Sequence, residues 1–224
     1  MKVVAVLQAR MGSTRLPGKA LKEINGLPIL VHIWRRLLAC REVDECVVAW
    51  GGEMTEASAT TLLRHGVRWQ TTESPDYDLL SRIIEAGVAN RADAILRVRA
   101  DCLFLDPEVL DIIVGQYRGD YPWSRAMSNW PHRTHSEGLD AEVWSMELLW
   151  NLSKNETVPR EDFGTWAIEN DLVTVGAQNP KNEGLPHLSI DTQEDFDRAM
   201  AMLKILGNNE WRYTETLKAW EATR

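Results

Sequence analysis

Three cations, Arg10, Arg15 and Lys19, stand within ten residues of one another with no acid between them, in the segment Arg-Met-Gly-Ser-Thr-Arg-Leu-Pro-Gly-Lys. Gly12 and Gly18 let the backbone of such a loop come close to an anion and present N–H groups to it. This combination predicts a polyphosphate site. The spacing is not that of a Walker A loop, which has four residues between its glycines and Ser or Thr after the lysine. Here five residues, Ser13 to Pro17, separate Gly12 from Gly18, and Ala20 follows Lys19. A G-x-G-x-x-G fingerprint is absent as well.

Carboxylates form the second group. Asp101 comes just after the apolar run Ala94–Val98, and Asp191 directly after Leu188-Ser189-Ile190. Two hard oxygen donors without a His or Cys cluster suit Mg²⁺ held partly by waters and substrate phosphates. In Gly138-Leu-Asp140-Ala-Glu142 the two-residue period of a strand puts both carboxylates on one face. Asp106, before Pro107, reads as a helix cap, and Glu194 and Asp195 as acids of a helical first turn. His132 and His135 read as a surface pair.

The elements that must position these groups alternate. Val3–Leu7, Glu45–Trp50, Val67–Gln70 and Ala94–Val98 read as buried strands. Helices are expected from Ile29, over Thr55–His65, from Pro75, and from Pro107 to about Tyr117. That rhythm predicts a three-layer α/β fold with a mostly parallel sheet, right-handed crossovers and helices on both faces. Ligands of such sheets bind outside the carboxyl ends of the strands, where the cationic loop lies. Residues 120–165 are less regular and read as an insertion in a single domain spanning 1–224. Strands Ala141–Trp144, Leu172–Ala177 and Leu188–Ile190 and helices Met146–Leu152, Arg160–Asn170 and Gln193–Leu206 complete the pattern.

Composition narrows the function. The chain has 224 residues with 25 Lys+Arg against 33 Asp+Glu, a net charge of −8, which argues against nucleic-acid polymers and anionic membranes as partners. Residues 1–22 nevertheless carry five cations and no acid, a local basic patch fit for one small anion. The first apolar stretch is too short for a signal peptide, and Cys40, Cys46 and Cys102 form no CxxC, so a cytoplasmic protein is expected. Of the ten tryptophans, Trp34, Trp50, Trp69 and Trp144 are expected in the core, while Trp123, Trp130 and Trp150 suggest a homodimer surface.

The segment Gln-Ala-Arg-Met-Gly-Ser-Thr-Arg-Leu-Pro-Gly-Lys, residues 8–19, resembles the amino-terminal signature of the CTP-dependent sugar cytidylyltransferases. These are the KDO and acylneuraminate enzymes, and in particular their spore-coat polysaccharide branch. Arg97–Cys102 with Asp106-Pro107, Glu137–Val143 and Leu188–Phe196 reinforce the likeness in the family's order. The resemblance implies a nucleotide-diphospho-sugar transferase-like (Rossmann-like, GT-A type) fold. It also implies transfer of CMP from CTP to a sugar acid or related small molecule, with release of pyrophosphate.

Arg10, Arg15, Lys19 and Asp101 would then be catalytic. CTP would contact Gln8, Ala9, Arg10, Met11, Gly12, Ser13, Thr14, Arg15, Lys19, Thr71, Asp78 and Arg99, and Asp101 with Asp191 would hold Mg²⁺. Asp140, Glu142 and Glu161 would face the acceptor. The chain departs from the branch at Asp162, where His is expected, and at Arg99, Ala100 and Leu103. The alternative is a GT-A glycosyltransferase acting on a preformed nucleotide sugar.

Overall fold

Strand β1, Val3–Arg10, sorts its side chains between the two faces of the sheet by strict alternation. Val3, Ala5, Leu7 and Ala9 enter one buried cluster, while Val4 and Val6 enter the other. The computed structural model describes residues 1–123, 125–129, 134–179, 186–207 and 210–224. After β1 come a small hairpin of β2 (Glu23–Ile24) and β3 (Leu27–Pro28), helix α1 (Ile29–Leu37) and β4 (Glu45–Gly51). Helix α2 (Glu56–Arg64), β5 (Trp69–Thr71), α3 (Leu79–Ala89), β6 (Ala94–Arg99) and α4 (Pro107–Asp120) follow. The remainder comprises β7 (Ala126–Ser128), β8 (Glu142–Ser145), α5 (Met146–Ser153), α6 (Phe163–Glu169), β9 (Thr174–Val175), α7 (Gln193–Leu206) and α8 (Tyr213–Ala222).

The seven-stranded sheet runs β5-β4-β1-β6-β8-β7-β9. Strands β5, β4, β1 and β6 are mutually parallel, β8 runs against both β6 and β7, and β9 lies along β7. Helices α1, α2, α4, α7 and α8 supply apolar residues to the first face, and α3, α5 and α6 to the second. This is the expected three-layer, mostly parallel α/β architecture. Trp34, Trp50 and Trp144 are buried, Trp69 packs half-buried against the core, and Trp123 is 92% exposed. Trp130 and His132 lie outside the described residues.

Several sequence boundaries are corrected. The third large helix begins at Leu79, not Pro75, because Pro75–Asp78 closes a turn (Asp78 N–H to Pro75 O, 2.8 Å) and Asp78 caps the helix. The helix expected from Arg160 begins at Phe163, since the Arg160 carbonyl accepts the Leu80 N–H at 3.0 Å and Asp162 has a non-helical backbone. Leu188–Ile190 is no ladder strand. Its N–H groups go to different partners, Leu188 to Glu137 O (2.8 Å) and Ile190 to Asp101 O (3.0 Å). Strand β9 keeps only two residues of the predicted 172–177 run. Strand β7 and helix α8 have no counterpart in the sequence reading.

A buried arginine fastens the last helix. Arg36 of α1 donates to the Leu105 carbonyl and to Trp211 O (2.9 Å) and stacks on the Trp211 ring at 4.5 Å. Burial, against the pull of Asp106, brings its pKa down to about 10. Asp106 caps α4 through Glu108 N–H, as expected, and also accepts the Tyr213 N–H at 2.7 Å. The turn following Asp101 and the start of α8 are thereby tied together.

Candidate active site

Strands β1, β4 and β6 end at one edge, with Arg10 beside Gly51 and Gln8 beside Arg99 in register. On the second face the apolar floor of Val4, Val6 and Ile95 gives way toward this edge to Gln8, Arg97 and Glu142. Strand β8 is antiparallel, so its first residue, Glu142, stands opposite Arg97 near the carboxyl ends of its neighbours. The alternation that fills the core thus assembles a charged layer above it.

The cationic loop leaves β1 and is pinned by Leu16, which is buried in the core. Its ends meet at Gly18, whose N–H donates to Met11 O (3.4 Å) and whose φ of 68° favours glycine. Lys19 opens a short 3₁₀ turn, Lys19–Leu21. A cavity of about 260 Å³ lies against this loop. Of the residues proposed from sequence, it is lined by Gln8, Arg10, Gly12, Ser13, Thr14, Arg15, Lys19, Arg99, Asp101 and Asp191.

Within it, the acids and bases pair closely. Lys19 Nζ donates to Asp101 Oδ2 (3.3 Å), Asp191 Oδ1 (3.2 Å) and the Ile190 carbonyl (2.8 Å). Arg15 Nη2 reaches the same Asp191 oxygen at 3.0 Å. Arg99 donates through Nε to Asp101 Oδ1 (3.1 Å) and pairs through Nη2 with Asp140 (3.3 Å). Burial works to raise the Asp101 pKa, yet Arg99 and Lys19, with the Cys102 thiol, hold it below the usual aspartate range.

Asp191 reaches this position without a strand beneath it. Gly138, at φ 100°, lets the 188–189 backbone pass so close that a Cβ would sit 2.7 Å from Leu188 C. Asp195 then accepts the Asp191 N–H at 3.1 Å while forming a capping box with Thr192 at the start of α7.

A second cavity, of about 190 Å³, adjoins the first through Gln8 and Arg10. Ala9, Asp76, Leu79, Arg82, Arg97 and Glu161 complete its wall, and Arg10 meets Glu161 at 2.7 Å. Asp76, Arg82 and Arg97 were not singled out from sequence. Arg82 interrupts the apolar face of α3 and is 2% exposed, its guanidinium packed over Gly51 and bonded to Asp76. A lone arginine amid Leu79, Leu80, Ile83 and Ile84 was the available signal. For Arg97 the available signal was its place two residues before Arg99, on the same face of the strand.

The other proposed residues are placed differently. Met11 is 37% exposed, and Met11, Thr71 and Asp78 line neither cavity. The Asp78 carboxylate accepts from Ser81 N (3.0 Å) and Ser81 Oγ (2.8 Å). Asp140 and Glu142 share a face but are buried, and Glu142 accepts from Arg97 (2.8 Å) and the Trp144 indole (2.9 Å). His135 packs against Tyr213 with ring centroids 5.4 Å apart.

Among the described residues, no three His, Cys, Asp or Glu side chains gather as a metal cluster. Asp101, Asp191 and the Ile190 carbonyl nevertheless converge on one cation, the Lys19 ammonium. Two carboxylates and a carbonyl are hard oxygen donors, and Mg²⁺ commonly takes one or two carboxylates and completes its shell with phosphates and water. The residues present fit that ion. No helix among the described residues is long and apolar enough to cross a membrane.

The chain is similar in sequence and fold to known proteins. A family model described as "Cytidylyltransferase" matches residues 4–218. The spore coat polysaccharide biosynthesis protein SpsF of Bacillus subtilis is 28% identical over 221 residues, covering 92% of this chain and 88% of that protein. The 3-deoxy-manno-octulosonate cytidylyltransferase of Geobacter metallireducens is 33% identical over 111 residues, 50% of this chain and 42% of that one. A cytidylyltransferase structure from Leptospira borgpetersenii superposes with a TM-score of 0.91 at 27% identity, covering 99% of this chain and 94% of that one. A CMP:2-keto-3-deoxy-manno-octonic acid synthetase complexed with CTP shares the fold at a TM-score of 0.71 and 18% identity, covering 91% of this chain and 99% of that one.

Proposed function

The chain belongs to the cytidylyltransferase family, and from that premise we propose that it transfers CMP from CTP to a small-molecule acceptor, a sugar acid or a related compound, and releases pyrophosphate. The observation that carries this reading is the meeting of Arg10, Arg15 and Lys19 with Asp101 and Asp191 around one cavity at the strand ends. Family membership disfavours the glycosyltransferase alternative, which has no use for a triphosphate loop.

In the proposed reaction an acceptor oxygen attacks the α-phosphorus in line with the bridge to the β-phosphate. One P–O bond forms and one breaks, the proton of an acceptor hydroxyl passes to water, and the charge gained by pyrophosphate falls among Arg10, Arg15 and Lys19. Preorganised cations of this kind act where charge develops, at no reorganisation cost during the step. N–H groups near Gly12–Thr14 support the phosphates, and the second cavity, sharing Gln8 and Arg10, gives the rest of the reactants a place beside them. Asp101 and Asp191 would hold Mg²⁺, which when bound neutralises charge on the α-phosphate and the attacking oxygen.

The reading includes a homodimer, supported by the exposure of Trp123 and Trp150, and sedimentation velocity measures it. The test of function is pyrophosphate release from each NTP with Mg²⁺ and a panel of acceptors. CTP-dependent release is expected, and Asp101→Ala should abolish it while circular dichroism stays native. Unchanged release in that variant refutes the proposal.

A further inference from the structure

The strongest unexplained arrangement is the position of Lys19. A lysine that serves only to grip phosphates has no need of acidic neighbours, and on a loop it would extend into solvent. Here its ammonium is drawn inward. The side chain is 14% exposed, and the three oxygens it contacts belong to Asp101, Ile190 and Asp191. Those are the oxygens proposed above for Mg²⁺. The outer cations approach differently: Arg99 takes the other Asp101 oxygen, and Arg15 meets Asp191 from a side chain that is 67% exposed. Among the described residues, Lys19 alone bridges both carboxylates.

We infer that Lys19 is a resident counter-cation of the two-carboxylate seat, so that metal and nucleotide bind as a coupled pair. Two like charges cannot share one small set of oxygens, so a divalent ion enters only as the ammonium leaves. Moved into solvent the ammonium would be hydrated but would give up both carboxylate partners; a triphosphate gives it new anionic ones. The metal therefore binds poorly by itself and well with nucleotide, and nucleotide binds better with metal, since such coupling is reciprocal. The inference rests on the reading of Asp101 and Asp191 as the metal seat.

Mn²⁺ serves as the probe, its binding to the full chain followed by electron paramagnetic resonance without any turnover. Lys19→Met is expected to bind Mn²⁺ alone about tenfold more tightly than wild type, equivalent to ~1.4 kcal/mol. Arg15→Met removes the same formal charge from the rim and is expected to change affinity by less than about threefold. In wild type, α,β-methylene-CTP, which cannot transfer CMP, should tighten Mn²⁺ binding about tenfold or more, and Lys19→Met should shrink that ratio. Lys19→Gln repeats the test should the methionine variant misfold, and Lys19→Arg, which keeps a cation, should stay near wild type.

Equal or weaker Mn²⁺ binding by Lys19→Met, or an effect matched by Arg15→Met, overturns the inference and leaves the proposed function standing. Absence of Mn²⁺ binding in every variant, even with the nucleotide analogue, overturns the metal-seat reading and the inference with it. Asp101→Asn should lose the ion in either condition.

Discussion

The charged layer over the second face can be tested at the Arg97–Glu142 pair. Both side chains are 11% exposed, and the guanidinium meets Glu142 Oε2 at 2.8 Å. Arg97 also donates to Gln8 (2.8 Å) and lies 5.1 Å from the Phe163 ring centroid, while Glu142 keeps a second donor in the Trp144 indole. Arg97→Met keeps an aliphatic stem, loses the guanidinium over Phe163 and leaves a carboxylate with one neutral donor. Breaking a buried pair in this way costs about 3–5 kcal/mol. At roughly 2–4 °C per kcal/mol for a chain of this size, the midpoint should fall by about 6–20 °C. Glu142→Gln strands the guanidinium instead, and the double variant removes both charges. Its cost should be smaller than the sum of the singles by about 2 kcal/mol. Thermal and urea unfolding followed by tryptophan fluorescence, to which the buried Trp50 and Trp144 contribute, measures all three. Additive singles, or a single-variant cost below about 1 kcal/mol as for an exposed pair, would refute the claim that this layer is effectively desolvated.

Three further outcomes are expected. Gly51→Ala places a methyl 2.4 Å from the Arg82 Cζ, so the flexible end of that side chain must shift, at a cost of about 1 kcal/mol in denaturant melts. Gly138→Ala is strained at φ 100° and collides with Leu188 and Ser189, so it should weaken both thermal stability and Mn²⁺ binding at Asp191, the latter read by resonance titration. Burial tends to raise the Asp195 pKa, but donors from Thr192 and the Asp191 N–H outweigh it and hold it low. Its stabilising contribution is therefore complete above the unfolded value of about 3.9 and is lost as pH falls through the lower folded value. Asp195→Asn should melt earlier at neutral pH and show a flatter midpoint-versus-pH curve in that acid window.

What was legible in the sequence follows how local each signal was. Strand β1 could be read because Val3–Leu7 is a continuous apolar, β-branched run that ends at a polar loop, and the cationic loop because Arg10, Arg15 and Lys19 are close in the chain. The partners of those cations were not legible. Lys19 meets Asp191 across 172 residues and Arg10 meets Glu161 across 151, and no spacing rule reports such contacts. Asp191 was found, though for an imperfect reason, since the strand expected beneath it is a segment pinned by two separate carbonyls. Arg160 was placed in a helix because its bond to Leu80 is tertiary. Helix α8 was missed because its buried face is Tyr213, Thr216 and Ala219, too small and polar to register as an apolar stripe.

The two ends of the sheet carry a consequence for association. Strand β5 has three residues and β9 has two, so among the described residues each edge offers only a few unpaired backbone groups to another chain. Long bare edges invite intermolecular pairing, and brief ones discourage it. Neither edge among the described residues therefore offers a second chain a long ladder to extend.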